Sequence, residues 1–148
     1  MPSFQHWEQS LNLDRGRIHT PYLAAQLRDF SGLRYGKITP TDIDAVLDFG
    51  GRLFVFIEAK LVGAALPRGQ ELALERLTDC YAEKGMFALC IVCEHSNRVG
   101  EINLALCSVV RYRWQMVWRT PTTAITVKAS VDKILIQCGL GEYIRGEN

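Results

Sequence analysis

The sequence has no apolar run long enough to cross a bilayer and no leader-like start with a basic end and an apolar middle. It therefore reads as a cytoplasmic chain without membrane association. It also lacks a surplus of charge. The net charge is +1, which excludes nucleic-acid binding by bulk charge and leaves only a local basic face for that task. There is no internal repeat and no low-complexity tract. The five cysteines, Cys80, Cys90, Cys93, Cys107 and Cys138, make no zinc motif. Cys90 and Cys93 are an odd number of residues apart, so on a strand they face opposite sides, and no second cluster supplies the remaining ligands. Their apolar surroundings suit reduced core thiols.

What is present fits a single domain over residues 1–148, with 48% hydrophobic and 22% charged residues and length enough for a proper core. Its centre is the stretch TDIDAVLDFGGRLFVFIEAK, residues 41–60. Residues 42–49 alternate polar and apolar. Gly50-Gly51 signals a turn, and residues 52–60 are nearly all apolar before ending in Glu58-Ala59-Lys60. This predicts a β-hairpin whose second strand is buried on both faces. Register decides its meaning. A three-residue loop pairing Phe49 with Leu53 sets Asp44 opposite Glu58 and Asp42 opposite Lys60. It also gathers Ile43, Ala45 and Leu47 with Leu53, Val55 and Ile57 on one apolar face. A loop of the two glycines alone turns Asp44 away. The three-residue loop is the expected one.

Glu58 and Lys60 share a face at the end of a buried strand, where charge is costly to desolvate. Two neighbouring carboxylates repel unless a cation neutralises them, and oxygen ligands suit a hard divalent ion such as magnesium or manganese. A lysine beside such a site can orient or deprotonate water and stabilise developing negative charge. Asp44, Glu58 and Lys60 thus form a candidate apparatus for phosphodiester hydrolysis.

Asp44, followed after thirteen residues by Glu58-Ala59-Lys60, resembles the PD-(D/E)XK, or restriction-endonuclease-like, nuclease superfamily. Thr41-Asp42-Ile43-Asp44 stands in place of the Pro-Asp of that name. Gly69-Gln70 before a helix resembles the phage and prophage branch. The resemblance covers residues 38–85 well and the remainder loosely. It implies an α/β fold with a central mixed β-sheet flanked by helices, and Mg²⁺- or Mn²⁺-dependent cleavage of DNA, including structured or junction DNA. It also implies ligation by Asp44, Glu58 and the backbone carbonyl of Ala59, water activation by Lys60, and help from Gln70 at the water or the scissile phosphate. Asp42 is then a candidate outer acid, and Arg34, Lys37 and His95 are candidate phosphate contacts. A homodimer is consistent with the junction-resolving relatives. The rival reading is a catalytically inactive nucleic-acid-binding or accessory protein of phage origin that retains the fold.

The rest of the chain supplies the frame. Phe4, Trp7 and Leu11 suggest a short helix carrying Glu8. Arg15 and Arg17 flank a basic turn that reads as a phosphate contact or as a solvated loop. Thr20-Pro21 opens a helix with Leu23, Leu27 and Phe30 on one side, stopped by Ser31-Gly32. A short strand is expected within residues 33–40. Residues 70–84 predict a helix with a Leu74, Leu77, Tyr81 stripe, closed by Gly85. Residues 86–93 predict a central strand parallel to the Glu58 strand through a right-handed crossover. His95 at its end is either structural or lines the cleft. Arg111, Arg113 and Arg119 alternate with Tyr112, Trp114 and Trp118, either as a nucleic-acid strip or as a half-exposed edge strand. Residues 126–137 predict a last helix with Val127, Val131, Ile134 and Cys138 on one side.

Overall fold

The apolar strands and amphipathic helices assemble as an α/β unit in the computed structural model, which describes residues 29–146. The chain divides after Pro40, and the sheet and the two α-helices of the described residues belong to the unit that starts at Thr41. The strands are β1 (Ala45–Asp48), β2 (Leu53–Leu61), β3 (Phe87–His95), β4 (Ser108–Trp114) and β5 (Val117–Arg119). They form one mixed sheet in the order β1-β2-β3-β4-β5. Helix α1 (Arg68–Glu83) connects β2 to β3, and α2 (Val127–Gln137) follows β5.

The hairpin takes the three-residue loop. Ala45 lies opposite Ile57 and Leu47 opposite Val55, and the Phe49 N–H donates to the Leu53 carbonyl at 2.9 Å. Gly50 and Gly51 both have positive φ, 63° and 72°, a conformation that glycine adopts without Cβ strain. The antiparallel ladder begins at Ala45, not at Asp42. The single apolar face expected of this hairpin is only partly formed. Ala45 packs with Leu53, Val55 and Ile57. Leu47 is exposed, and Ile43, lying before the ladder, packs instead with Phe56, Leu74 and Cys90.

Strands β2 and β3 are parallel, with Glu58 opposite Val92 and Lys60 opposite Glu94. Their side chains alternate between two cores, as pleating requires. Leu53, Val55, Ile57, Leu89 and Ile91 pack toward α2 residues such as Val131 and Ile134. Phe56 and Cys90 pack toward Leu74 of α1, with Tyr81 stacked on Phe54 at 4.6 Å. Helices therefore cover both faces. Cys90 and Cys93 fall in different cores, and burial pushes both thiols up to about 12. They stay protonated and inert at neutral pH.

Helix α1 starts two residues earlier than its apolar stripe suggests, with Pro67 before its first turn, and Gly85 at φ 77° follows its end. In α2 the Thr126 side chain accepts from the Ala129 N–H at 3.2 Å as an N-cap. No named strand lies within residues 33–40. Tyr35 and Ile38 make one isolated bridge around a tight turn with Gly36 at positive φ, a geometry too short to propagate a ladder. Ser31–Leu33 is a 3₁₀ turn. The readings of Phe4, Glu8, Arg15, Arg17 and most of the helix after Thr20 lie outside the described residues. Among the described residues no helix is long and apolar enough to cross a membrane.

Candidate functional site

The site is built at the carboxyl end of β2, beside the parallel strand β3, where the crevice of an open α/β sheet commonly receives ligands. Pleating puts Glu58 and Lys60 on the α1 side. Burial of Phe56 and Ile57 carries the strand inward, so Glu58 is left only 3% exposed. Its Oε1 accepts from Lys60 Nζ at 2.8 Å, while the lysine keeps 24% of its side chain exposed. Its Oε2 is buried and has no hydrogen-bond partner. Desolvation is the largest cause that raises the Glu58 pKa above 4.5. The Lys60 hydrogen bond opposes it, and the negative charge of Asp44 adds to it.

Asp44 reaches this carboxylate from the neighbouring strand. It precedes the ladder, and its side chain replaces a ladder bond: Oδ2 accepts from the Ala59 N–H at 2.7 Å. The hydrogen bond holds the acid at the strand end between Glu58 and Lys60. Asp44 is itself exposed, so the buried acid and the solvent-facing acid meet at one boundary.

Gln70 lies in the first turn of α1 and points back to the same place. Its amide lowers the Glu58 pKa. Its geometrically sound hydrogen bond goes to the Asp42 carbonyl, at a long 3.4 Å. Asp42 thus joins the site through its backbone. Four sequence-derived positions, Asp44, Glu58, Lys60 and Gln70, come together.

One other does not. His95 follows the alternation of β3 onto the other face, opposite Leu61, and its Nδ1 is buried without a partner. It lines a cavity of about 370 Å³ with Glu94, Asn97, Asn103 and Cys107. Strand parity is the physical reason it leaves the Glu58 cleft. Arg34 and Lys37 are exposed and belong to the unit before Thr41. The Arg34 Nε donates to the Gly36 carbonyl at 3.2 Å.

The arginine-rich stretch spans two strands, with Arg111 and Arg113 on β4 and Arg119 on β5, so only Arg119 stands on the half-exposed edge expected of it. β4 pairs on both sides, and β5 is the edge. Glu71, Glu75 and Asp79 recur every four residues along α1 and face it. Arg111 pairs with Glu71 at 2.9 Å, and Arg113 grips Asp79 with two bonds of 2.8 and 2.7 Å. The Trp118 indole donates to Glu75 at 2.7 Å, and the Arg111 guanidinium lies 4.5 Å from its ring centre. These cations fasten α1 to the sheet, and the Arg111 hydrogen bond is the largest cause that lowers the Glu71 pKa.

Glu94 is a residue that pattern reading passed over. The parallel register sets it beside Lys60 on the same face. The signal was available in the strand offset, since a parallel β2–β3 pair that aligns Leu61 with His95 also sets Lys60 beside Glu94. Among the described residues no group of three or more His, Cys, Asp and Glu side chains gathers as a metal cage. The chain matches no known protein family, no curated protein and no solved structure.

Proposed function

We propose that the chain is a small metal-dependent nuclease of restriction-endonuclease-like fold that hydrolyses DNA phosphodiester bonds. One observation carries this reading: buried Glu58, with one oxygen unpartnered, interacts with the charge of Asp44 and is ion-paired to Lys60 near the carboxyl end of β2. The order hairpin, helix, parallel strand supports it further.

The donor set fits a hard cation. Asp44, Glu58 and the Ala59 carbonyl offer oxygen only, and the orphaned Oε2 of Glu58 is a buried acceptor waiting for a positive charge. A bound Mg²⁺ or Mn²⁺ would act as a Lewis acid on the phosphoryl oxygens. Lys60 holds the attacking water by its ammonium and stabilises the negative charge that develops on phosphate. Gln70 orients the same water from the start of α1. The buried walls of Phe56 and Leu74 lower the local dielectric and strengthen these interactions.

A second reading, an inactive nucleic-acid-binding or accessory protein that keeps the fold, draws on the Lys60–Glu58 ion pair, which occupies both groups with each other. Cleavage assays on single-stranded, duplex and junction DNA with Mg²⁺ or Mn²⁺ separate the two. The nuclease reading expects cleavage by the native chain and a loss of about 100-fold or more in Lys60→Met, which keeps the stem and removes the charge. Full cleavage by Lys60→Met overturns the mechanism. Absence of cleavage by the native chain on all substrates, with ion binding retained, selects the inactive reading.

A further inference from the structure

The opposite face of the sheet holds a second cavity, of about 330 Å³, between β3, β4, β5 and α2. That is the size of a small-ligand pocket. Its floor is apolar: Leu89 and Ile91 are essentially fully buried there, and Trp114 is 8% exposed. Tyr112 extends this floor toward solvent. Its Cα partner across the β4–β5 ladder is Arg119, so guanidinium and phenol ring project from the same side of adjacent strands.

The wall from α2 is unusual for a helix packed on a sheet. Ser130, Lys133, Ile134 and Gln137 line the cavity at spacings of three and four, and three of these four positions are polar. Among the described residues no aspartate or glutamate lines it. Arg119 and Lys133 have no carboxylate partner among the described residues, whereas Arg111 and Arg113 on the other face are both paired. Threonine hydroxyls from residues 120, 122 and 123 complete the rim.

Backbone strain sits at the same mouth. Trp114 and Val117 are paired across a two-residue turn, Gln115-Met116. Both turn residues have positive φ, 51° and 64°. Neither is the glycine, asparagine or aspartate such turns favour. Gln115 lines the cavity, and strained residues of this kind recur at ligand clamps.

An aromatic and apolar floor, two unpaired cations and a rim of hydroxyls and amides match one ligand chemistry: a flat heterocycle carrying a phosphate. We propose that this cavity binds a nucleoside monophosphate, free or as the end unit of a strand. The base lies against Tyr112. The phosphate takes Arg119 and Lys133, and Gln115 or Gln137 reads the base edge. The site does not depend on the Asp44–Glu58–Lys60 reading, which concerns the other face.

Calorimetric titration of the full chain tests it with adenosine and thymidine 5′-monophosphates, adenosine alone, inorganic phosphate alone, and a short 5′-phosphorylated single strand. At least one nucleotide form should bind about 10-fold or more tighter than adenosine or phosphate alone. The double variant R119Q/K133Q should weaken that binding about 10-fold or more with unchanged thermal unfolding, and Lys60→Met should leave it unchanged. Binding of the strand but not of the mononucleotides, lost in the double variant, assigns the site to strand ends and supports the proposal. Saturable binding by no nucleotide form, equal binding of inorganic phosphate, or unaltered binding in the double variant overturns it.

Discussion

Asp44 Oδ2 accepts the Ala59 N–H at 2.7 Å, so the acid that precedes β1 is fixed to the residue between Glu58 and Lys60. One hydrogen bond performs two tasks. It ends the hairpin ladder, and it holds an exposed carboxylate against a buried one. The stability and charge functions of Asp44 are therefore separable by substitution.

Asp44→Ala leaves the Ala59 N–H without its acceptor and should cost about 1 kcal/mol. Asp44→Asn keeps an acceptor oxygen and should cost less than half of that. Urea unfolding of both variants checks the difference, and equal losses contradict the structural part of the role.

The pH dependence follows from Glu58. Its pKa is raised from 4.5, first by desolvation, then by Asp44. The folded state therefore binds the proton more tightly than the unfolded chain does. Stability of the metal-free protein should fall as pH rises from about 4.5 through the raised value. Glu58→Gln removes that slope and should raise the neutral-pH melting temperature in the absence of divalent ions. Divalent ion binding should tighten over the same rise in pH, because the ion competes with the proton. Thermal unfolding of both proteins across this range, with and without Mn²⁺, reads all three effects.

Arg113 and Asp79 are both largely buried and joined by two bonds. Removing one partner strands the other, so Arg113→Ala should destabilise the fold by about 2–3 kcal/mol. A double-mutant cycle with Asp79→Ala should return a coupling of about 1–3 kcal/mol.

Much of this was legible in the sequence. The Gly50-Gly51 turn marked the hairpin and left two registers, of which the three-residue loop formed; Asp44 lies just before that ladder and is held by the Ala59 N–H. The unbroken apolar run before His95 marked a strand paired on both sides. What stayed hidden was long-range pairing. Glu71, Glu75 and Asp79 on α1 look like a solvated stripe until β4 and β5 bring Arg111, Arg113 and Trp118 against them. Alternating arginines read the same on an edge strand and on a strand under an acidic helix. His95 falls on the face opposite Glu58 and Lys60 because strand parity runs through to the last residue of β3. The β1 start was hidden because Asp44 mimics a ladder bond with its side chain.

The proposed nuclease site requires Asp44 and Glu58 to share one divalent ion. Calorimetric titration of the full chain with Mn²⁺ measures this directly. One site per chain is predicted, weakened about 10-fold or more in both Asp44→Asn and Glu58→Gln and insensitive to R119Q/K133Q. No Mn²⁺ binding by the native chain, or binding that both carboxylate variants leave intact, would contradict it.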